Sequence, residues 1–256
     1  EPHGDPAELA VEVPGPLTEQ LGRIARDNGV WLFPGSVYER AGDGRVHNTA
    51  LVLSPEGELV ARYRKVFPWE PHESSAPGDG FVTFDIPDVG RIGLSICYDG
   101  SFPETCRELA WMGAEAVLQV SLTTTSDRSQ EIVMARANAI FNQLYLVSLN
   151  AGLPAGLGRS VIVDPEGLVR LQAGDGEELL TDVLDLDAVT RVIESGHPSD
   201  TLAAFITNGG ADLSADYGTG QRGQTQIGII EDRSFQPYKY GDDPPEDRAS
   251  VGAAIA

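Results

Sequence analysis

The chain has 256 residues, long enough for one layered α/β domain with a buried core. Hydrophobic residues make up 41%, which argues against general disorder, and no apolar run approaches the roughly 18–20 residues of a membrane-spanning helix. The formal net charge of −21 repels nucleic acid and anionic membrane surfaces, so neither is expected as a partner.

The acidity has a plain reading, solubility, and a sharper one, salt adaptation. Lys65 and Lys239 are the only lysines, and arginine supplies the remaining positive charge; codon composition would give the same bias. The two cysteines, Cys97 and Cys106, form no CxxC pair. The histidines His3, His47, His72 and His197 have no metal-ligand spacing. A reducing, cytoplasmic setting fits this usage. The chain begins at Glu1 rather than Met, which leaves a preceding targeting segment open.

Residues 1–13 are polar and turn-like, with a short helical stretch over 5–10. Residues 15–28 read as a helix, because Leu17, Leu21 and Ile24 recur at helical spacing and Gly29 stops it. Residues 30–37 form an apolar run of strand length. Strands over 48–53 and 59–63 are joined by Ser54-Pro55-Glu56-Gly57, a type I turn pattern. Further strands are expected over 82–85 and 91–96, a helix over 102–113, a strand over 116–122, a helix over 129–142 and a strand over 144–149. A second hairpin, 160–163 with 168–173, carries the similar turn Asp164-Pro165-Glu166-Gly167. A strand over 181–186 and a short helix over 188–193 follow.

Strands alternating with helices, with antiparallel hairpins mixed in, predict an α/β fold: a two-sheet core covered by helices on each side. The pattern fades beyond about Gly196. Residues 199–256 are rich in Gly, Asp, Pro and Gln and read as an extended arm or a loose tail. The expected organisation is one domain over 1–198 and an arm or tail over 199–256.

The strongest local signal is Arg91-Ile92-Gly93-Leu94-Ser95-Ile96-Cys97-Tyr98-Asp99-Gly100-Ser101-Phe102-Pro103-Glu104. An apolar strand ends at Cys97. Ser101 has the character of a helix N-cap, with Glu104 at capping-box spacing and Pro103 early in the helix. A thiol facing a helix N-terminus meets free N–H groups and a positive dipole, which favour the thiolate. On this stretch alone two readings stand: nucleophile, or small buried hydrophobe. Cys106 lies inside the helix and reads as structural.

A second signal is Arg62-Tyr63-Arg64-Lys65-Val66-Phe67-Pro68-Trp69-Glu70-Pro71-His72-Glu73. A lysine at a strand end is commonly a solvated charge. Keeping Lys65 where arginine is the default points to a need for a compact ammonium. Beside a thiolate, such an ammonium can hold negative charge building on a carbonyl oxygen. Glu73, eight residues on, has a matching reading as the group that positions this lysine, and a plain one as a loop carboxylate.

Cys-Tyr-Asp-x-x-Phe-Pro-Glu after an apolar strand, with Tyr-Arg-Lys on an earlier strand, resembles the nitrilase superfamily of carbon–nitrogen hydrolases. The resemblance runs from about Asp5 to Ile193 and takes in Asn48-Thr49-Ala50, Ala135-Arg136-Ala137 with Asn142, and Ser148-Leu149-Asn150-Ala151. Lys-x-x-Pro-Trp-x-Pro-x-Glu and Cys-x-Asp-Gly-x-Phe-Pro-Glu are most similar to the aliphatic amidase and formamidase branch. The resemblance implies a four-layer α-β-β-α sandwich. It implies Cys97 as nucleophile, Lys65 as the oxyanion-side cation and Glu73 as a second carboxylate. The Tyr98 backbone N–H would complete the oxyanion hole, and no metal or organic cofactor is called for. It further implies a small amide substrate and a homo-oligomer, with the 199–256 segment as a possible wrapping arm.

The family's first glutamate, the general base, follows an apolar strand in a Phe-Pro-Glu context, and nothing here matches it. Glu1 is not assigned to that role. The expectation is that the first strand and its glutamate lie upstream of Glu1, or that the chain is catalytically dead. Ser75 stands where related amidases carry an aromatic, so the pocket wall is expected either to be more open there or to be supplied by Trp69 or the 123–127 loop, which starts at Thr123. Gly100-Ser101 stands where enzymes acting on N-carbamoyl amino acids carry arginines, which argues against that substrate class. The competing readings are a nitrilase, an N-carbamoyl amine hydrolase or an acyl transferase of the same superfamily, and a non-catalytic member acting in assembly. A Cys–His hydrolase using His72 or His197 has only the closeness of His72 to Lys65 in its favour.

Overall fold

The computed structural model describes residues 5–195. Glu1 and the expected arm over 199–256 lie outside the described residues. Helix α1 (Pro6–Leu9) is followed by α2 (Pro16–Asn28), which ends on Gly29 in the left-handed conformation. Then comes an antiparallel sheet in the order β1 (Ser36–Arg40), β2 (Val46–Leu53), β3 (Leu59–Arg64). The expected turn closes it: the Gly57 N–H donates to Ser54 O at 2.8 Å.

The second sheet has the order β4 (Thr83–Ile86), β5 (Gly90–Ile96), β6 (Ala116–Ser121), β7 (Tyr145–Asn150), β8 (Val161–Val163), β9 (Val169–Gln172). Its centre, β5-β6-β7, is parallel. Parallel neighbours need a crossover. Helices α3 (Pro103–Trp111) and α4 (Arg128–Asn142) supply the two crossovers, and α5 (Asp187–Ser195) follows β9.

Side-chain alternation along the strands builds the layers. On β2, Ala50 and Val52 face the second sheet, where they meet Phe84, Ile92, Leu94, Ile96, Ala116 and Tyr145. Leu51 and Leu53 face the other way, onto Ala25 and Leu21 of α2. On the far side, Val117, Leu146 and Val163 pack against Leu109 of α3 and Ile132, Ala135 and Ala139 of α4. The order is helix, sheet, sheet, helix: the four-layer α-β-β-α sandwich. Each fully buried leucine in these layers contributes about 2 kcal/mol by leaving water.

Three local expectations are corrected. The run over 30–37 is not a continuous strand: Leu32 makes a single bridge to Leu53, Gly35 takes φ +101°, and the ladder begins only at Ser36. Pro34 and Gly35 interrupt it, and Trp31 and Phe33 serve packing between the sheets instead. Residues 181–186 form no strand; Val183 is exposed, and Asp182 is held by Arg170. Finally, Ser101 is not an N-cap. Residues Cys97–Ser101 wind into a 3-10 turn, so α3 starts later, with Phe102 as its cap and Pro103 in the first turn.

Candidate active site

Cys97 is the first residue after β5. Its φ is +49°, a conformation that costs a side-chain-bearing residue about 1–3 kcal/mol. Several contacts hold the bend. Gln119 Nε2 donates to the Cys97 carbonyl (3.1 Å), and Asn138 Nδ2 donates to the Gly100 carbonyl (3.3 Å). The Leu122 N–H is directed at the thiol. The arrangement is a sharp strand-to-turn elbow that presents the sulfur at the end of the sheet. The thiol is partly exposed, whereas Cys106 is buried with its pKa pushed up to about 12 by desolvation and by the Asp99 charge.

Lys65 follows the last residue of β3 and is 1% exposed. Its backbone is pinned on both sides, by its own N–H to Asn48 O (2.8 Å) and by the Gly78 N–H to its carbonyl (2.7 Å). Its ammonium pairs with Glu73 Oε2. Glu73 also accepts from Asn48 Nδ2 (3.0 Å), the Ser75 hydroxyl (2.8 Å) and the Trp69 N–H (3.1 Å). Burial pushes the Glu73 carboxyl up, but Lys65 and these donors outweigh it, leaving the group below the usual carboxylate range. Ser75, itself buried, is therefore one of the donors that hold Glu73.

The elbow does not favour the thiolate in the way the helix-terminus argument expects. Burial raises the Cys97 pKa above its ordinary value; Lys65 opposes the rise, and Glu131 and Glu73 add to it. The intervening 3-10 turn displaces the N-terminus of α3 from the sulfur, so Lys65 is the cation that counts. This also shows that the structure brings Cys97, Lys65 and Glu73 within electrostatic reach of one another.

Tyr98 sits at the second position of the 3-10 turn, where a backbone N–H has no partner within the turn. Its ring meets Phe102 edge-on at 5.2 Å and lies 6.5 Å from Trp69. Trp69 is 43% exposed and packs against His72 at 4.4 Å, which accounts for that histidine as a ring partner. Thr123 is buried beside the Leu122 amide that faces the thiol. Its hydroxyl donates to Glu131 (2.6 Å), and its backbone is clasped by Asn150.

Residues without an assigned role in the sequence reading also converge here. Arg128, fully buried, donates to Glu131 (3.0 Å), to the Ser148 hydroxyl (3.0 Å) and carbonyl (3.1 Å), and to the Arg159 carbonyl (2.9 Å). An arginine so engaged does not offer its charge to a substrate carboxylate. The Arg128/Glu131 spacing of three on α4 was the available signal for this pair. Asp99, inside the Cys97 motif, is likewise buried. Among the described residues no group of three His, Cys, Asp or Glu side chains could hold a metal ion. Nor is any helix there long and apolar enough to cross a membrane.

The family model for carbon–nitrogen hydrolases matches residues 2–194. The chain belongs to the carbon–nitrogen hydrolase family. Formamidases of Bacillus cereus (strain AH820) and Bacillus anthracis are each 36% identical to it over 146 residues, 56% of this chain and 43% of theirs. The match thus spans less than half the length of these relatives. Among solved structures, Saccharomyces cerevisiae Nit3, a member of branch 10 of the nitrilase superfamily, superposes with a TM-score of 0.67 at 27% identity. It covers 75% of this chain and 73% of that one. An amidase mutant from Nesterenkonia sp. AN1, solved with butyramide, gives a TM-score of 0.62 at 29% identity over 68% of this chain and 69% of that one. Another mutant of that amidase shows the product of Michael addition of acrylamide at its active-site cysteine. These likenesses place the hydrolase fold in the nitrilase superfamily.

Proposed function

We propose that this hydrolase cleaves a small carboxylic amide to the acid and ammonia through a thioester on Cys97. The observation that carries the reading is the elbow: a partly exposed thiol on a strained backbone, opposed by the buried ammonium of Lys65, which Glu73 holds in place. The formamidase relatives and the amidase bound to butyramide support amides as the substrate class.

In this reading the Cys97 sulfur attacks the amide carbonyl and its proton passes to a carboxylate base. The charge that develops on the carbonyl oxygen is met by the Lys65 ammonium and the Tyr98 N–H. The protonated base then gives its proton to the leaving nitrogen, and ammonia departs. Water, deprotonated by the same carboxylate, cleaves the thioester and the thiol is restored. Glu73 and Glu131 are each already engaged, with Lys65 and with Thr123 and Arg128. The base of this scheme is the family's first glutamate, whose motif none of residues 1–256 matches. Trp69 and Thr123 form the proposed pocket walls, and assembly into homo-oligomers belongs to the same proposal.

The test is ammonia release from formamide, acetamide, propionamide and butyramide by the protein and by Cys97→Ala. Release that disappears in Cys97→Ala supports the amidase reading, and the substrate ranking sizes the pocket. Activity retained in that variant, or ammonia formed from nitriles but not amides, overturns it. Acrylamide adds a readout that needs no turnover: an adduct is expected on Cys97 and none on Cys106.

A further inference from the structure

Asp99 is 0% exposed, yet no cation pairs with it directly, since the Lys65 ammonium is committed to Glu73. Its carboxylate accepts three hydrogen bonds from neutral donors. Oδ2 takes the Tyr63 hydroxyl (2.8 Å) and the Ile96 N–H (2.9 Å), and Oδ1 takes the Phe67 N–H (2.9 Å). Burying a carboxylate among neutral groups is an expensive way to join two sheets, and an apolar pair would do so at less cost. The placement of the donors explains why a carboxylate stands there.

Tyr63 lies two residues before Lys65 and Phe67 two after, so Asp99 grips both flanks of the lysine. Ile96 immediately precedes Cys97 and Asp99 itself lies two residues beyond it, so the same carboxylate braces both flanks of the cysteine. Lys65 and Tyr63 belong to the first sheet, Ile96 and Cys97 to the second. The Tyr63 hydroxyl in turn accepts from the Val66 N–H at 3.3 Å, which ties the residue after Lys65 into the same knot. Three donors converging on two oxygens suit a group that only accepts. An asparagine would turn its own N–H2 toward a donor on one side.

We propose that Asp99 is a positioning residue, a clasp across the two sheets that sets the Lys65 ammonium against the Cys97 thiol. The inference rests on the proposed roles of Cys97 and Lys65, but its test does not require amide turnover. Lys65 lowers the Cys97 pKa, while Glu131 from α4 and Glu73 raise it. A displaced Lys65 therefore shows as a thiol that ionises at higher pH.

The experiment follows iodoacetamide alkylation of Cys97 by mass spectrometry from pH 7 to 10 in the full chain, in Asp99→Asn and in Tyr63→Phe. Cys106 serves as the unreactive internal reference. Cooperative unfolding is checked for each protein. Both variants are expected to alkylate more slowly near pH 8, Asp99→Asn by about 10-fold and Tyr63→Phe by less, with the profile moved to higher pH. Tyr63→Phe removes no ionised group, and any rise in the Asp99 pKa on losing this hydrogen bond takes negative charge away from the thiol, so a shift to higher pH reports a displaced Lys65. If Asp99→Asn does not fold, Tyr63→Phe decides the matter by itself. A folded Tyr63→Phe with the profile of the parent overturns the proposal. Shifted profiles leave the clasp standing whether or not the parent hydrolyses an amide, so the clasp and the amidase reading fail separately.

Discussion

The ammonium of Lys65 is held by the carboxylate of Glu73, and both side chains are largely shielded from water. A buried pair of this kind is worth little against an apolar replacement, but removing one partner leaves the other uncompensated. Glu73→Gln is expected to lower stability by about 3 kcal/mol and amide turnover by about 100-fold. Urea unfolding and ammonia release check the two effects. Wild-type stability in Glu73→Gln would mean that the pair is not formed in solution.

Lys65→Arg tests whether a compact cation is required. The planar guanidinium has the charge but not the shape of an ammonium, and the pocket around Lys65 is closed. Turnover is expected to fall about 100-fold or more in Lys65→Arg as well as in Lys65→Met. In Lys65→Met the alkylation profile of Cys97 should also move to higher pH, because the charge that lowers its pKa is gone. Near-normal turnover in Lys65→Arg would show that any cation suffices.

The pH dependence of Cys97 in the unaltered protein follows from the balance of burial over Lys65. Its alkylation is expected to climb with an apparent pKa above the ~8.5 of a free thiol. Cys106 should stay unmodified throughout. An apparent pKa well below 8 for Cys97 would mean that the elbow stabilises the thiolate more than burial opposes it.

Asp99 gives a stability signature of its own. Desolvation raises its pKa to about 6, against about 3.9 when unfolded, while its hydrogen bonds and Lys65 oppose the rise. The folded state therefore binds the proton more tightly. This group's stabilising contribution is complete below about pH 4 and is lost as pH rises through 6, a change of about 3 kcal/mol. Glu73 and Glu39, held low, slope the other way, so the comparison must be parent minus Asp99→Asn. Tyr63, Lys65 and Cys106 are the titratable groups that interact with Asp99. A difference curve that is flat from pH 4 to 7 would contradict the buried, raised carboxylate.

Arg128→Ala should be among the most damaging single changes outside the thiol's own neighbours. It strands the Glu131 carboxylate, the buried Ser148 carbonyl and the part-buried Arg159 carbonyl, at a cost of about 3–5 kcal/mol. The chemical-denaturation midpoint reads this directly. A loss under 1 kcal/mol would show that water replaces the guanidinium.

The parts legible in the sequence were those encoded over short spans. The apolar runs of β2 and β5, helical spacing on α2 and the two Pro-Glu-Gly turns each declare themselves within a dozen residues. Cys97 and Lys65 stood out because each directly follows a strand, whereas Glu73 reads as a loop carboxylate by itself and gained its role only through the family resemblance. Asp99 lay inside the same motif, but its role depends on Tyr63 and Phe67, more than thirty residues away, and no local pattern records that meeting. The stretch over 181–186 misled for the opposite reason. It has strand length and apolar residues at 183, 184 and 186, but no strand edge pairs with it, and Tyr145 and Arg170 take its backbone and side-chain oxygens instead.

Gly100 carries a consequence for the history open to this scaffold. A Cβ there would come within 2.1 Å of Gln119 Nε2, the atom that anchors the Cys97 carbonyl. An arginine at position 100, part of the arrangement associated above with N-carbamoyl amino acids, has to push the Gln119 amide away from the Cys97 carbonyl. Enlarging Gly100 and keeping the Cys97 carbonyl anchored are thus competing demands on one crowded contact, and clones varied at position 100 alone should lose activity in step with the size of the new side chain.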